Sequence, residues 1–491
     1  MLGFHHWTSH WPVGTGLEDA DRMDDDMTDL PLPRRAADIT LCGSFDEAQT
    51  CTFDHVPFEL PRAVDQLLID IIYNDRIGSS PMEQGGNTLD VGLFDHQGIE
   101  SRGPGFRGWS GSVQTRILVG TEWSIPPYRA GRPEPGIWHL LLAPYKIGPH
   151  GLTWEARIWL DPGVPVPTRQ PLPDPSSVRR GQVPRAAESG WYRGDLHIHT
   201  IYSDGTGTPV DVAVAAIEHG LDFFGITDHN RTQSPVGLVP QGDGWPVLVP
   251  GVEVTTYAGH FNVWGTDSWY DFRDPTAAGL QRAIDDALAD GGTVSLNHPK
   301  PYGPEWSFPE VTGFHTIEAW NRWWPVFNAA SLAWWHRQLG NDHPLPMVAG
   351  SDMHQHRSTG APDRPLDPSR IGHPTTWVHV DGDLTPTTIL EAVRAGRSFV
   401  SESPSGPQLY TCDSDEEIRL RVVHARGDAL LLVGPRGVVR AVDIPDDDSV
   451  IHIRKSELLD ATGDAAGAPF VRPEIHAVGG AVRALGQAVH L

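Results

Sequence analysis

The chain has 491 residues, 39% hydrophobic and 20% charged, with 52 Gly and 44 Pro, which allows several domains and excludes bulk disorder or a small stapled fold. Its 63 acidic residues against 37 basic give a formal charge of -26, a balance that repels phosphate backbones and anionic membranes, so neither a nucleic-acid nor a membrane partner is expected. Three cysteines, Cys42, Cys51 and Cys412, are too few for a disulfide framework and read as reduced thiols, whereas 24 histidines are unusually many.

Residues 1–35 are polar and without periodicity, and are expected to form a flexible leader. Met1 to Asp26 lacks a basic start followed by an apolar run, so no signal peptide is read there. With no run of 18 apolar residues for a membrane helix, the cytoplasm is the expected compartment. Residues 36–160 read as a β-sandwich: Leu67 to Tyr73, Thr88 to Phe94, Val113 to Val119, Gly136 to Pro144 and Leu152 to Leu160 are short apolar runs separated by Gly, Pro and Asn turns. Gly103 to Gly108 fits the spacing of a dinucleotide fingerprint, but Pro104 lies inside it and no helix start follows, so a loop is expected. Residues 161–190 contain Pro162, Pro165, Pro167, Pro171, Pro173 and Pro175 and read as an extended linker.

From residue 191 to 404 the texture becomes strand and helix in alternation. Thr208, Pro209 and Asp211 start a helix that runs to His219 and stops at Gly220, ahead of a strand from Leu221 to Thr227. A helix from Pro275 to Asp290, with Leu280, Ile284 and Leu288 on one face, precedes the strand Thr293 to Asn297, and a last helix spans Pro386 to Ala395. Residues 405–491 read as a small β-rich domain. No GxSxG elbow, P-loop or CxxC occurs, so a nucleophilic-serine hydrolase is not expected.

Six apolar stretches in the middle region each finish in residues that bind metals. The donors are His197, His199, Asp204, His229, Glu253, His260, His298, Asp352 and His354. His197 and His199, two apart on a strand, point to one face, and the ends of parallel strands converge on one rim. Imidazole mixed with carboxylate suits zinc, manganese or iron, and Glu253 could bridge two ions. Asp195 and Asp228 are expected to orient the imidazoles from behind or to shape turns. His219, His315, His336, His343, His373 and His379 read as structural, and His356 is left open.

Asp195-Leu-His-Ile-His-Thr200 with Ser203-Asp-Gly205, Ile226-Thr-Asp-His-Asn230, Gly251-Val-Glu253, Asn297-His-Pro299 and Gly350-Ser-Asp-Met-His354 resemble the successive motifs of the PHP (polymerase and histidinol phosphatase) metallohydrolase superfamily. Glu253-Val-Thr-Thr256 with Gly259-His-Phe-Asn262, Ile317-Glu-Ala-Trp-Asn321 and Ala395-Gly-Arg-Ser-Phe399 resemble its carbaryl-hydrolase-like branch, CehA/McbA. The resemblance implies an α/β fold, a distorted seven-stranded (β/α) barrel holding two or three divalent ions, preceded by the sandwich and followed by the β-rich domain. By position, one ion takes His197, His199, Glu253 and Asp352; a second shares Glu253 and adds His260 and His298; a third uses Asp204, His229 and His354.

Clustered divalent ions lower the pKa of a bound water and stabilise a leaving anion, so hydrolysis of a small-molecule substrate is the expected chemistry. Lys300, Tyr302, Asn321, Arg322 and Arg357 follow the metal motifs and are the expected substrate contacts, which favours a phosphoester. Trp306, Trp320, Trp323, Trp324, Trp334 and Trp335 favour instead an aryl ester or carbamate. A non-catalytic, metal-stabilised binding protein is the further alternative, and the oligomeric state is not legible.

Overall fold

The computed structural model describes residues 30–167, 172–301, 303–341, 343–355, 370–462 and 468–491. The expected leader lies almost wholly outside them, as do Tyr302, His356 and Arg357. Eight strands follow from residue 39: β1 (Ile39–Phe45), β2 (Asp54–Leu60), β3 (Gln66–Tyr73), β4 (Thr88–Phe94), β5 (Phe106–Gly111), β6 (Arg116–Gly120), β7 (Gly136–Lys146) and β8 (Leu152–Leu160). They form two antiparallel sheets, β1-β8-β3-β6 and β2-β7-β4-β5. Ile69, Leu118 and Ile158 of the first pack with Phe58, Val91 and Trp138 of the second in one buried core. Three of these strands are not among the expected runs. β5 in particular begins inside the glycine-rich stretch expected as a loop: Gly103 to Gly105 make the turn, and Phe106 already pairs with Phe94.

The middle region contains β9 (Trp191–Asp195), α1 (Pro209–Glu218), β10 (Phe223–Ile226), β11 (Val247–Thr256), β12 (Gly259–Trp264), α2 (Ala277–Ala289), β13 (Thr293–Leu296), β14 (Thr316–Asn321), α3 (Asn328–Gln338), β15 (Met347–Gly350), β16 (Thr375–His379), α4 (Pro386–Arg394) and β17 (Ser398–Ser401). Helix α1 starts as its sequence dictates. Thr208 accepts from the Asp211 amide, and the Asp211 carboxylate accepts from the Thr208 amide in return. The C-terminal region adds β18 (Gln408–Asp413), β19 (Glu417–Val423), β20 (Ala429–Gly434), β21 (Gly437–Asp443), β22 (Asp448–Arg454), α5 (Lys455–Thr462), β23 (Phe470–His476), β24 (Val482–Gly486) and β25 (Val489–His490).

One long sheet runs β15-β14-β13-β12-β11-β10-β9-β16-β17-β24-β23-β20-β21. It departs from a regular alternation of strand and helix. β12 is antiparallel to both its neighbours, because a turn of two residues, Tyr257 and Ala258, joins it to β11 and leaves no length for a crossover helix. β16 is antiparallel to β9. Among the described residues no continuous strand ladder closes this sheet into a barrel, but it curls until its first strand, β15, meets the extension of β9. Just beyond β15 and β9, the Asp352 amide donates to the His197 carbonyl (2.8 Å) and the His199 amide to the Met353 carbonyl (3.0 Å). β17 pairs with β24, so the sheet continues across residue 404 into the C-terminal region.

The sandwich is packed against this sheet rather than merely tethered to it. Phe94, Phe106, Trp109 and Leu141 share a buried core with Val254, Phe261, Phe272 and Leu296, and Trp109 and Phe272 ring centres lie 4.9 Å apart.

Candidate metal centre

All nine expected donors gather at the rim where the curled sheet meets itself. His197 and His199 lie just past β9, Asp204 in the following loop, His229 past β10, Glu253 within β11, His298 past β13, and Asp352 and His354 past β15. His260 reaches the same rim because β12 is antiparallel and delivers its first residues where its neighbours deliver their last. The backbone turns off sharply there: Asn230, His298, Arg322 and Asp352 all have left-handed φ, between 24° and 58°, a strained arrangement that aims side chains into the centre.

Glu253 is the hub. Its Oε2 lies 3.4 Å from His197 Nε2, 3.4 Å from His199 Nε2 and 2.8 Å from His229 Nδ1, and its Oε1 lies 3.2 Å from His260 Nδ1 and 3.2 Å from His298 Nε2. Asp352 Oδ1 is 3.1 Å from His199 Nε2 and 3.5 Å from His197 Nε2. Asp204 Oδ1 is 3.1 Å from His354 Nε2 and 3.4 Å from His229 Nε2. The donor atoms fall into four overlapping groups: His199, Asp204, His229 and His354; His197, His298 and Asp352; His197, His199 and Glu253; His229, Glu253 and His260. Against the expected sets, His298 groups with His197 and Asp352, and His199 joins Asp204, His229 and His354.

The donors fit divalent cations on two counts. His260 Nε2 is buried with no hydrogen-bond partner, and the buried Glu253 Oε2 and Asp204 Oδ1 are met by imidazoles of the same cluster, an arrangement costly for a folded chain to keep without a ligand. Buried carboxylates also need positive charge. Burial opposes a charge on His197, but Glu253, Glu318 and Asp352 outweigh it and hold that imidazole well above its ordinary range. His229 is pushed up to about 9, burial being overcome by Asp204 and Glu253. His199 goes the other way, to about 3, through burial and repulsion from His354 and His229. The imidazolium protons thus supply the charge a cation would replace.

Several residues hold the donors in place. Glu318, on β14 and 2% exposed, puts Oε1 3.1 Å from His197 Nδ1 and takes a bond from Asn321 Nδ2 (3.1 Å) on Oε2. Glu318 lies inside the Ile317 to Asn321 motif, and its one mark in the sequence is that it is a lone acid within an apolar strand. Asp228 accepts from the Thr200 amide (2.7 Å) and from Ser203 Oγ (2.8 Å), and Ser203 Oγ lies 3.4 Å from His199 Nδ1, so Asp228 acts on an imidazole through Ser203. Asp195 touches no imidazole. It accepts from the amides of His197, Ser351 and Gly372, tying three segments of the rim together, and burial pushes its carboxyl up to about 6.

The expected substrate contacts divide. Lys300 is 1% exposed, and its ammonium donates to the Asn321 carbonyl, Asn321 Oδ1 and Asn328 Oδ1. Burial lowers its pKa to about 8. Lys300 and Asn321 thus bond to each other and to Asn328 at the start of α3. Arg322, with 31% of its side chain exposed, donates from Nε to Asp352 Oδ2 (2.9 Å) and lies 2.9 Å from His354 Nδ1 through Nη2, so a guanidinium stands at the open edge of the centre. Of the tryptophans, Trp306, Trp320 and Trp335 are buried, whereas Trp323 is 58% exposed.

Among curated proteins none matches the chain. Of solved structures, a two-domain protein from Bacteroides vulgatus containing a predicted PHP-like metal-dependent phosphoesterase is similar over 64% of this chain and 99% of its own, at 19% identity and a TM-score of 0.37. The β-glucosidase DesR from Streptomyces venezuelae, in complex with D-glucose, aligns over 94% of this chain and 47% of its own at 10% identity and a TM-score of 0.15. Residues 195–267, which include six of the nine gathered donors, match the model of the PHP domain family.

Proposed function

We propose that the chain is a metal-dependent hydrolase, a phosphoesterase acting on a small molecule, with His197, His199, Asp204, His229, Glu253, His260, His298, Asp352 and His354 holding two or three divalent ions. The carrying observation is Glu253, one buried carboxylate with five imidazoles within 3.4 Å. A structural zinc needs only four ligands and closes them off; this many donors around a shared carboxylate suits adjacent cations with coordination to spare. Zinc, manganese and iron all suit a mixed imidazole and carboxylate set. Such ions, when bound, supply an acidified water and take up charge developing on the bond to be cleaved.

The chain's own residues do the remainder. Glu318 and the Asp228–Ser203 pair fix the rings of His197 and His199. Arg322 is placed to receive an anionic group on the substrate, which favours a phosphoester. The family match supports hydrolysis of this class. On this reading residues 191–404 form the catalytic unit, with the sandwich (36–160) before it and the C-terminal region (405–491) completing its sheet.

A second reading, an aryl ester or carbamate hydrolase of the carbaryl-hydrolase-like branch, is favoured by Trp323 and Phe327, 58% and 54% exposed in the loop that begins at Arg322. Metal analysis with a panel of aryl phosphates, aryl acetates and an aryl methylcarbamate decides between them. Turnover of phosphates is expected; turnover of carbonyl substrates alone selects the second reading, and a chain holding no metal and hydrolysing nothing refutes both. Glu253→Ala is expected to lose metal and activity together, and full retention of both would sink the assignment.

A further inference from the structure

The hairpin β11–β12 brings Glu253 and His260 to the centre on two strands joined only by Tyr257 and Ala258. Thr255, opposite His260 in that ladder, bonds through its hydroxyl to His229 Nδ1. Three donors therefore depend on how this one hairpin is seated. The tip is held from two sides: the Ser307 amide donates to the Ala258 carbonyl (3.0 Å), and the N-terminal sandwich meets Tyr257. The tip residue, Tyr257, stacks on Phe53 (centroids 5.1 Å, 21°) and on Tyr145 (5.7 Å, 14°), and its hydroxyl donates to Asp90 Oδ2 (2.7 Å) and approaches the Ala143 carbonyl (3.5 Å). Those partners lie on β4 and β7 and in the loop before β2, all in the N-terminal sandwich. Asp90 is only 9% exposed, so its carboxylate was desolvated to receive this hydroxyl, a cost that a surface tether would not incur.

We propose that Tyr257 and Asp90 are positioning residues through which the N-terminal sandwich fixes the β11–β12 hairpin, and with it Glu253, Thr255 and His260. The inference rests on the metallohydrolase reading for its catalytic consequence, while the mechanical part stands apart from it. A hairpin held along its ladder and by one backbone bond at Ala258 can still rock about its strands; a side-chain anchor at Tyr257 restricts that freedom. Partners that orient metal donors from behind are worth about 10- to 100-fold in metal affinity or activity when removed.

The experiment uses the full chain. Tyr257→Phe keeps both ring stacks and deletes only the hydroxyl; Asp90→Ala deletes its acceptor; Asp90→Asn retains an oxygen that accepts the phenol proton. Tyr257→Phe and Asp90→Ala are each expected to lower zinc retention against a chelator, and kcat on the best aryl phosphate, by about tenfold, with KM nearly unchanged and Asp90→Asn recovering most of the loss. Amide hydrogen exchange on the metal-free protein is expected to quicken about tenfold across residues 253–260 in the first two variants and not in β13–β15. If wild-type protein binds no zinc, the metallohydrolase reading fails while the exchange arm still tests the clamp. Wild-type exchange, zinc retention and kcat in both Tyr257→Phe and Asp90→Ala would overturn it, as would equal losses in Asp90→Asn and Asp90→Ala.

Discussion

At the scale of single residues, the centre depends as much on groups that touch imidazoles from behind as on the donors themselves. Most of the nine gathered residues were legible as His, Asp or Glu at or just past the end of an apolar stretch, since strand ends share a rim; His260, at the start of β12, reaches the rim only through that strand's reversed direction. Glu318 was not legible, because its value comes from β14 lying beside β15, and β15 from meeting the extension of β9; adjacency of that kind is set by the sheet order and not by local spacing. Lys300, whose place directly after a metal motif suggests a substrate contact, donates in this structure to Asn321 and Asn328, bonds that its position in the chain does not announce. The weight placed on Glu318 can be checked. Glu318→Gln keeps the size but removes the charge that helps hold His197 above its ordinary range, and Glu318→Ala also frees the ring. Zinc affinity is expected to fall about 10-fold in the first and closer to 100-fold in the second, read by competition with a chromophoric chelator. Unchanged affinity in both would show that His197 is held by its other neighbours.

At the scale of elements, helices with capping side chains were readable and those without were not. Thr208 with Asp211, Thr276 and Thr385 announce α1, α2 and α4. Helix α3 has no such signal: Phe327 precedes it with φ 54° and no capping bond, and its start is held instead by the buried amide of Asn328, which donates to the Trp323 and Trp324 carbonyls. The antiparallel turn of β12 was likewise missed, since a strand's direction leaves no mark on its own residues. One close approach between elements has a testable cost. A Cβ on Gly350, the last residue of β15, would lie 2.3 Å from His197 Cβ and 2.7 Å from Glu318 Oε1, so the two strands can carry their donors this close only with a glycine there. Gly350→Ala is expected to cost about 1–3 kcal/mol in denaturant unfolding and to lower metal content, because relief of the clash requires His197 to move. A variant with normal stability and full metal would mean that the strands separate without disturbing the centre.

At the scale of the whole molecule, the sandwich, the donor-bearing sheet and the C-terminal strands share buried surface, so they are not beads on a string. Sequence texture marked where composition changes, at the proline-rich stretch and near residue 405, but texture carries no record of which faces pack together; the aromatic seam from Phe53 to Phe272 and the pairing of β17 with β24 appear only in three dimensions. The seam contains an acid in an unfavourable place. Burial pushes the Asp90 carboxyl up to about 7 from an ordinary 3.8, more than the Tyr257 hydroxyl and the nearby His229 pull it down. Tyr145 and Cys51, also facing it, are themselves pushed up by burial and by Asp90's charge, so they offer no compensating cation. The sign follows. A carboxyl with a higher pKa folded than unfolded binds its proton more tightly when folded, so its contribution to stability is full below pH ~4 and is lost as pH rises through about 7. Over roughly three pH units at about 1.4 kcal/mol each, the loss from this group is bounded by about 4 kcal/mol. Asp90→Asn cannot ionise and still accepts from Tyr257. It is therefore expected to unfold at higher denaturant concentration than wild type at pH 8, to match it only below about pH 4, and to flatten the stability profile between them. A variant whose profile parallels wild type across that range would place the Asp90 proton elsewhere in the seam.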